Sequence, residues 1–442
     1  MSQAPSQASE LAQLAEAANV RFILALFVDL RGKPCAKLVP VEAVETLARE
    51  GVGFAGYAVG AIGQQPRDPD LMAIPDPSSF TPVPFLKPGL AIVHCDPHVG
   101  GEPWRFAPRN ILKAVLARAA DAGYTPWVGA EVEYFLVERD GNGGIRPADA
   151  LDTAAQPCYD ARGVTRMYEH LTAISTAMNE LGWGNYANDH EDGNGQFEQN
   201  FEYADALTTA DRVITLRYLL TMLAEQRGMT ATFMPKPFAD RTGNGLHLHM
   251  SLTEGERRIF PAADDDRGLG LSPAAYAFVA GVLEHACALQ ALLAPTVNSY
   301  KRTGAVATAS GASWSPRCAT YGGNDRTHYV RVPDDQRVEL RGGDGSANPY
   351  LAIAGALGAG LDGIARSLDP GRPGAGEAKG DPLPLTLLDA VSAFEADDLL
   401  TGVLDAAGSG VAAYFAQLKR EEFFAWHSAV SPWEIDRYLQ AF

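Results

Sequence analysis

The chain has 442 residues, 46% of them apolar and 20% charged, with a formal net charge of -18. That size and composition predict two or three domains with well-buried cores and exclude a disordered chain. The acidic balance repels a phosphate backbone, so no nucleic-acid partner is expected. Cys35, Cys95, Cys158, Cys287 and Cys318 are scattered, with no CxxC pair. They read as reduced thiols, forming neither a disulfide framework nor a zinc site. The opening Met-Ser-Gln-Ala-Pro-Ser-Gln has no basic or apolar signal segment. No run of about 18 uncharged apolar residues occurs either. A cytoplasmic protein without a membrane partner is expected.

In chain order, residues 9–19 read as a short helix, and 21–29 as a buried strand. Arg31-Gly-Lys makes a turn, and 36–40 returns as the second strand of a hairpin. Proline-rich sequence follows over 66–88, then a strand over 90–95. Residues 1–104 are therefore expected to form a small β-rich domain. From Arg109 the texture changes: apolar residues at 111, 112, 115, 116 and 119 have the spacing of an amphipathic helix. Helices near 164–181, 208–227, 272–293 and 349–366 alternate with strands in a larger domain, 105–442. Residues 369–384 read as an exposed loop and 385–442 as mainly helical.

Three strand-like segments carry charge on one face. Glu131-Val-Glu133 puts two carboxylates at i and i+2. In 246–252, His247, His249 and Ser251 alternate with apolar residues. Arg337, Glu339 and Arg341 do the same in the third. One such strand is ordinary for a half-exposed antiparallel sheet. Three of them, with the glycine-rich approach Thr242-Gly-Asn-Gly245 and the acids of 190–198 placed in a loop, point further. Carboxylates gathered on one sheet repel unless cations lie between them. Oxygen ligands with one imidazole suit Mg²⁺ or Mn²⁺. The accompanying arginines fit the neutralisation of a transferring phosphoryl group.

The ordered motifs Glu131-Val-Glu133, His190-Glu191 to Gln196-Phe-Glu198, Gly243-Asn-Gly-Leu-His-Leu-His249, Asn298-Ser-Tyr-Lys-Arg302 and Asn324 to Tyr350 resemble the glutamine synthetase family over nearly the whole chain. The resemblance implies an α+β fold: an N-terminal β-grasp domain and a larger catalytic domain with an antiparallel sheet and helices. It implies homo-oligomeric rings, commonly dodecamers, with sites between subunits. Glu133, Glu191 and Glu198 would hold one divalent metal, and Glu131, His247 and Glu339 the second. Gly243, Arg302 and Arg341 would hold glutamate. Tyr203, His249, Ser251, Arg331 and Arg337 would contact ATP, and Arg326 the transferring phosphoryl group. Glu191, Tyr159 and Arg302 complete the implied catalytic set. The implied reaction passes through γ-glutamyl phosphate, which an amine then converts to a γ-glutamyl amide.

Ammonia-using members of the family place an Asp and a Ser in a segment that reads Phe54-Ala-Gly-Tyr-Ala58 here. Ala55 and Ala58 replace both groups, and 51–67 contains no acid. Their flap glutamate is also missing: 301–324 has no Asp or Glu, and Trp314 falls at its place. With Tyr159, these residues define an expected amine pocket. It resembles the γ-glutamylmethylamide synthetase branch, and methylamine is the expected amine. A polyamine is not expected, because the two acid-free segments offer its second ammonium no acceptor. The loop 369–384 has no tyrosine, so the family's adenylylation is not expected. The alternatives are ammonia-dependent glutamine synthesis and a catalytically silent protein that keeps only the fold.

Overall fold

The computed structural model describes residues 9–141, 143–303, 308, 314–374 and 380–442. Strand Phe22–Val28 pairs antiparallel with Pro34–Pro40 and parallel with Leu90–Val99. The tight turn between the first two is set by Asp29, whose Oδ1 accepts from the backbone N–H of Arg31 and Lys33, with Gly32 at φ +81°. Leu90–Val99 also pairs with Leu71–Pro75, which carries Val52–Phe54 at the sheet edge. Alternation splits this sheet between two cores. Ile23, Ala25 and Phe27 face a small cluster under helices Glu10–Ala17 and Val44–Glu50, while Leu26, Val28 and Ile92 join the large core.

After the last strand of that sheet, Glu102–Pro103, Pro108 opens the helix Pro108–Asp121. The second sheet is centred on the long strand Thr125–Arg139 and runs in the order Asn185–His190, Gln196–Phe201, Thr125–Arg139, Leu246–Glu254, Arg337–Leu340, Val330–Asp334. Every pairing in this row is antiparallel. Helices Ala206–Glu225 and Pro108–Asp121 pack on it, Pro349–Arg366 packs on those two helices, and Pro273–Glu284 packs on Pro349–Arg366, all within the large core.

Three readings of the sequence need correction. Residues 190–198 are not a plain loop; Asn185–His190 and Gln196–Phe201 form a hairpin around them. Gly195 turns the chain at φ +82°, and Asp152 fixes the tip by accepting from the Gly195 N–H at 2.6 Å and pairing with His190 at 2.7 Å. The apolar run 272–293 is two helices, Pro273–Glu284 and Ala286–Leu293, bent by 76°. Between them His285 reaches Asp397 at 2.6 Å and Asp362 at 3.3 Å, contacts that local sequence does not announce. The 369–384 segment is not wholly an exposed loop either: Asp381–Pro382 pairs with Cys318–Ala319 and Leu383 is buried, while 375–379 lie outside the described residues. Among the described residues no single helix is long and apolar enough to cross a membrane.

Candidate active site

The register of the second sheet assembles the charged row. Asp189 lies opposite Glu198, and Glu198 opposite Glu133. Glu131 lies opposite His247, His249 opposite Glu339, and Glu339 opposite Arg331. Because side chains alternate, one set of residues from six strands faces the same way while Val132, Tyr134, Leu248 and Leu340 face the core. Gly245 lets the row close up. A Cβ there would lie 2.7 Å from His247 Nε2 and 2.9 Å from Glu133 Oε1. Gly243 is needed for the same reason, with Pro235 O only 2.2 Å from a built Cβ. Asn244 anchors the loop by donating to the carbonyls of Thr232 and Met234.

Glu131 sits at the centre. Its two oxygens meet His247 Nδ1 at 2.9 Å and His249 Nε2 at 2.8 Å. Burial acts to raise its pKa, but those imidazoles hold it well below the ordinary carboxylate value. Glu133 accepts from the Gly245 N–H at 2.6 Å and from Gln196 at 3.1 Å. Glu198 and Glu191 are in the opposite situation. Burial first, then the charges of Glu131 and Glu191, push Glu198 well up; burial and Glu133 push Glu191 up to about 8. Two acids that resist ionising beside Glu131, which is held ionised, make a site short of positive charge, which is where a divalent cation fits. Glu131, Glu198 and His247 offer ligand atoms within 4.8 Å of one another, and so do Glu131, His249 and Glu339. This grouping differs from the expected one: Glu131 belongs to both sets, and His249, expected only at ATP, joins the second.

Two cavities meet at Glu131. The first, of about 370 Å³, is lined by Glu133, Tyr159, Glu191, Gly243, Trp314 and Arg326, together with Arg302 and Arg341. Arg302 is buried with Nη1 unpartnered. Arg341 has Nη1 on Glu339 and Nε unpartnered, so both have donors to spare for an anion. Asn298 positions the segment ahead of Arg302 by a double hydrogen bond to the backbone of Lys236. The second cavity, of about 860 Å³, is lined by Trp127, Tyr203, His249, Ser251, Gln336 and Arg337. Trp127 and Tyr203 meet edge to face at 6.0 Å, and Arg258 donates to Gln336 at 2.6 Å, giving one apolar wall and one polar wall. Arg331 is not part of this cavity. It is buried against Glu339 and Asn324. Ala55 and Ala58 are exposed and line neither cavity of their own chain.

With this geometry in view, residues 105–438 match the family described as glutamine synthetase, catalytic domain. The chain belongs to the glutamine synthetase family. It has the glutamine synthetase-like fold and is an enzyme of the ligase type. It is 43% identical over 438 residues to a glutamine synthetase of Rhizobium leguminosarum bv. phaseoli, covering 97% of this chain and 99% of that one. It is 40% identical over 446 residues to a glutamate–methylamine ligase of Methyloversatilis universalis, covering 98% and 99%. A solved GmaS/ADP complex superposes with a TM-score of 0.91 at 46% identity, covering 98% of this chain and 99% of that chain. A ligand-free GmaS structure gives 0.90 at 45%.

Sequence reasoning missed polar residues in and behind the first cavity, among them Asp189, Lys236 and Asp192. Asp189 lines it, with no cationic partner among the described residues, and burial followed by the charge of Glu131 raises its pKa. The pocket is therefore not free of additional acids, and the argument against a polyamine loses its premise. Lys236 also lines it, its pKa lowered by burial. Asp192 is buried behind the wall, bonded to Trp314 and Thr242. The period-2 signal that found Glu131 and Glu133 could have found Asp189 only if the hairpin had been recognised.

Proposed function

We propose that this enzyme is an ATP-dependent ligase that joins the γ-carboxylate of glutamate to a small alkylated amine, methylamine foremost, giving a γ-glutamyl amide. The observation that carries the reading is the meeting of the two cavities at Glu131. A nucleotide-sized cavity meets a pocket lined by both spare guanidinium donors and carboxylates. Arg302, Arg341 and the Gly243 backbone hold glutamate. Tyr203, His249, Ser251 and Arg337 face ATP, and Arg326 neutralises the transferring phosphoryl group. Mg²⁺ or Mn²⁺, held by Glu133, Glu191, Glu198, Glu131, His247 and Glu339, would supply charge neutralisation across the phosphates.

In the first step a γ-carboxylate oxygen attacks the terminal phosphorus, and the bond to the ADP oxygen breaks. In the second, the neutral amine attacks the γ-carbonyl, phosphate leaves with the bonding electrons, and the nitrogen gives up a proton. Glu191 and Tyr159 flank the amine, and Glu191 takes its proton.

The preference for an alkylated amine rests on Trp314 lining the pocket, together with the lack of acids in 51–67 and 301–324. Ammonium has one more N–H to satisfy than methylammonium. An unmet buried donor costs about 1–3 kcal/mol, and burying one methyl gains about 0.8 kcal/mol. The sum predicts roughly 20- to 500-fold discrimination. Asp189 offers ammonium an acceptor, which moves the expectation to the lower end, about 20-fold. A second reading, ammonia-dependent glutamine synthesis, is supported by Asp189 and by likeness to the Rhizobium protein.

Two domains, 1–104 and 105–442, assembled in a dodecameric ring, complete the proposal. The exposure of Ala55 and Ala58, away from their own cavities, supports a role at a neighbour's site. Phosphate release with ATP and glutamate against ammonia, methylamine, ethylamine, ethanolamine and putrescine tests the function. Amine-dependent release is expected, greatest with methylamine. No release with any amine would overturn the ligase reading. Sedimentation of a fully active monomer would overturn the shared site.

A further inference from the structure

Asp192 takes no part in the proposed chemistry, yet it is buried and its carboxylate joins two walls of the amine end of the first cavity. Its Oδ2 accepts from the indole Nε1 of Trp314 at 3.2 Å and from the hydroxyl of Thr242 at 2.9 Å. Thr242 immediately precedes Gly243, and that loop is held against Pro235 and Glu133 so closely that Gly243 and Gly245 tolerate no Cβ. The backbone N–H of Asp192 in turn donates to Glu191 Oε2 at 3.3 Å. The carboxylate thus stands where the pocket-closing aromatic, the glutamate-side loop and the amine-side acid converge.

Trp314 is 43% exposed, and its indole N–H is anchored by this hydrogen bond. We propose that Asp192 is a positioning residue: it holds the Trp314 indole as the wall of the amine pocket and ties that wall to the Thr242–Gly245 loop. A charged acceptor is the strong form of such a bond, and its burial shields it from solvent competition. Through the shared oxygen, a loop settled by glutamate and a wall settled around the amine stabilise each other, so each ligand is bound more tightly when the other is present.

The inference rests on this pocket being the amine end of the site, but not on which amine is used. The test is a double-mutant cycle with Asp192→Ala and Trp314→Phe, the latter keeping an aromatic ring without the N–H. Each single variant is expected to raise the amine KM about 10-fold. The Asp192→Ala loss falls on KM more than on kcat and leaves the KM for ATP alone. In the Trp314→Phe background Asp192→Ala then adds less than about 2-fold. Asp192→Asn, closer in shape, should fall between wild type and alanine. Equal effects of Asp192→Ala in both backgrounds, or an equal rise in the KM for ATP, would overturn the proposal.

A second measurement needs no turnover. The difference in acrylamide quenching between wild type and Trp314→Phe isolates the Trp314 indole, and Asp192→Ala must make that indole more accessible. Unchanged quenching would also overturn it. Absence of amine-dependent phosphate release in the wild type is instead a failure of the ligase reading, and leaves the quenching result to decide.

Discussion

Two regions of this protein bury charge, and they do so in opposite ways. Beneath the N-terminal sheet, the buried Arg109 bonds Asp76 at 2.9 Å, Asp96 at 2.6 Å and Asp211 through two nitrogens at 3.0 Å. Lys113 adds a second cation on Asp96, and the Tyr350 hydroxyl donates to Asp211 at 2.5 Å. All three guanidinium nitrogens of Arg109 are engaged, and the cluster links strand, loop and helix across the two sheets. In the candidate site the count is reversed. Glu191 and Glu198 resist ionisation, and among the described residues Asp189 has no cationic partner while Arg302 and Arg341 keep unpartnered donors. Buried charge alone does not mark a site. Charge that the fold leaves unbalanced does, because only a ligand can complete it.

The comparison is broken most sharply by deleting one member from each region. Glu198→Ala should lower amide formation by more than about 100-fold, since metal ligands matter more than the outer partners whose loss costs 10- to 100-fold. The metal-free variant should be no less stable than wild type, because a repelling carboxyl has gone. Near-normal turnover at saturating Mg²⁺ would sink the assignment. Arg109→Ala should behave the other way, costing roughly 3–5 kcal/mol of stability by stranding three carboxylates. Urea unfolding measures it; a cost under about 1 kcal/mol would make that cluster a surface-like network.

Acidity should also separate the regions, with opposite signs. At Asp76, burial is outweighed by the Ser78 hydrogen bond and the Arg109 charge, so its pKa lies below 3.8. Its stabilisation is present above that value and is lost as pH falls through the lowered pKa. Glu191 is raised from 4.5 to about 8, so its contribution is present below 4.5 and is lost as pH rises towards 8. Metal-free protein should therefore melt at a lower temperature at pH 8 than at pH 5.5, and Glu191→Gln should flatten that slope. A slope unchanged by Glu191→Gln would assign it elsewhere. The smallest expected effect is on selectivity. Ala55→Asp with Trp314→Glu should move amine preference towards ammonia by about 10-fold, one decade for about 1.4 kcal/mol. An unchanged ratio of kcat/KM values would remove both positions from the amine pocket.

The parts of the site that could be read from sequence are those governed by a local period. Glu131 and Glu133, His247 and His249, and Arg337, Glu339 and Arg341 alternate with core residues, so a shared face follows from strand geometry alone. The hairpin around Glu191 was hidden because its turn depends on Asp152, far back in the chain, and Asp189 and Asp192 were hidden with it. The contact of Arg331 with Glu339 is set by strand register and not by its neighbours in sequence. The helix break at His285 is likewise made by Asp362 and Asp397 and not by any glycine or proline.

The central claim, that the pocket beside Trp314 selects an alkylated amine, is tested most directly by competition in one vessel. Equal total concentrations of ammonia and methylamine, with ATP, glutamate and Mg²⁺ at one pH, give a product ratio by mass spectrometry that equals the ratio of the two kcat/KM values. γ-Glutamylmethylamide is expected in about 20-fold excess. A mixture of equal parts, or an excess of glutamine, would contradict it.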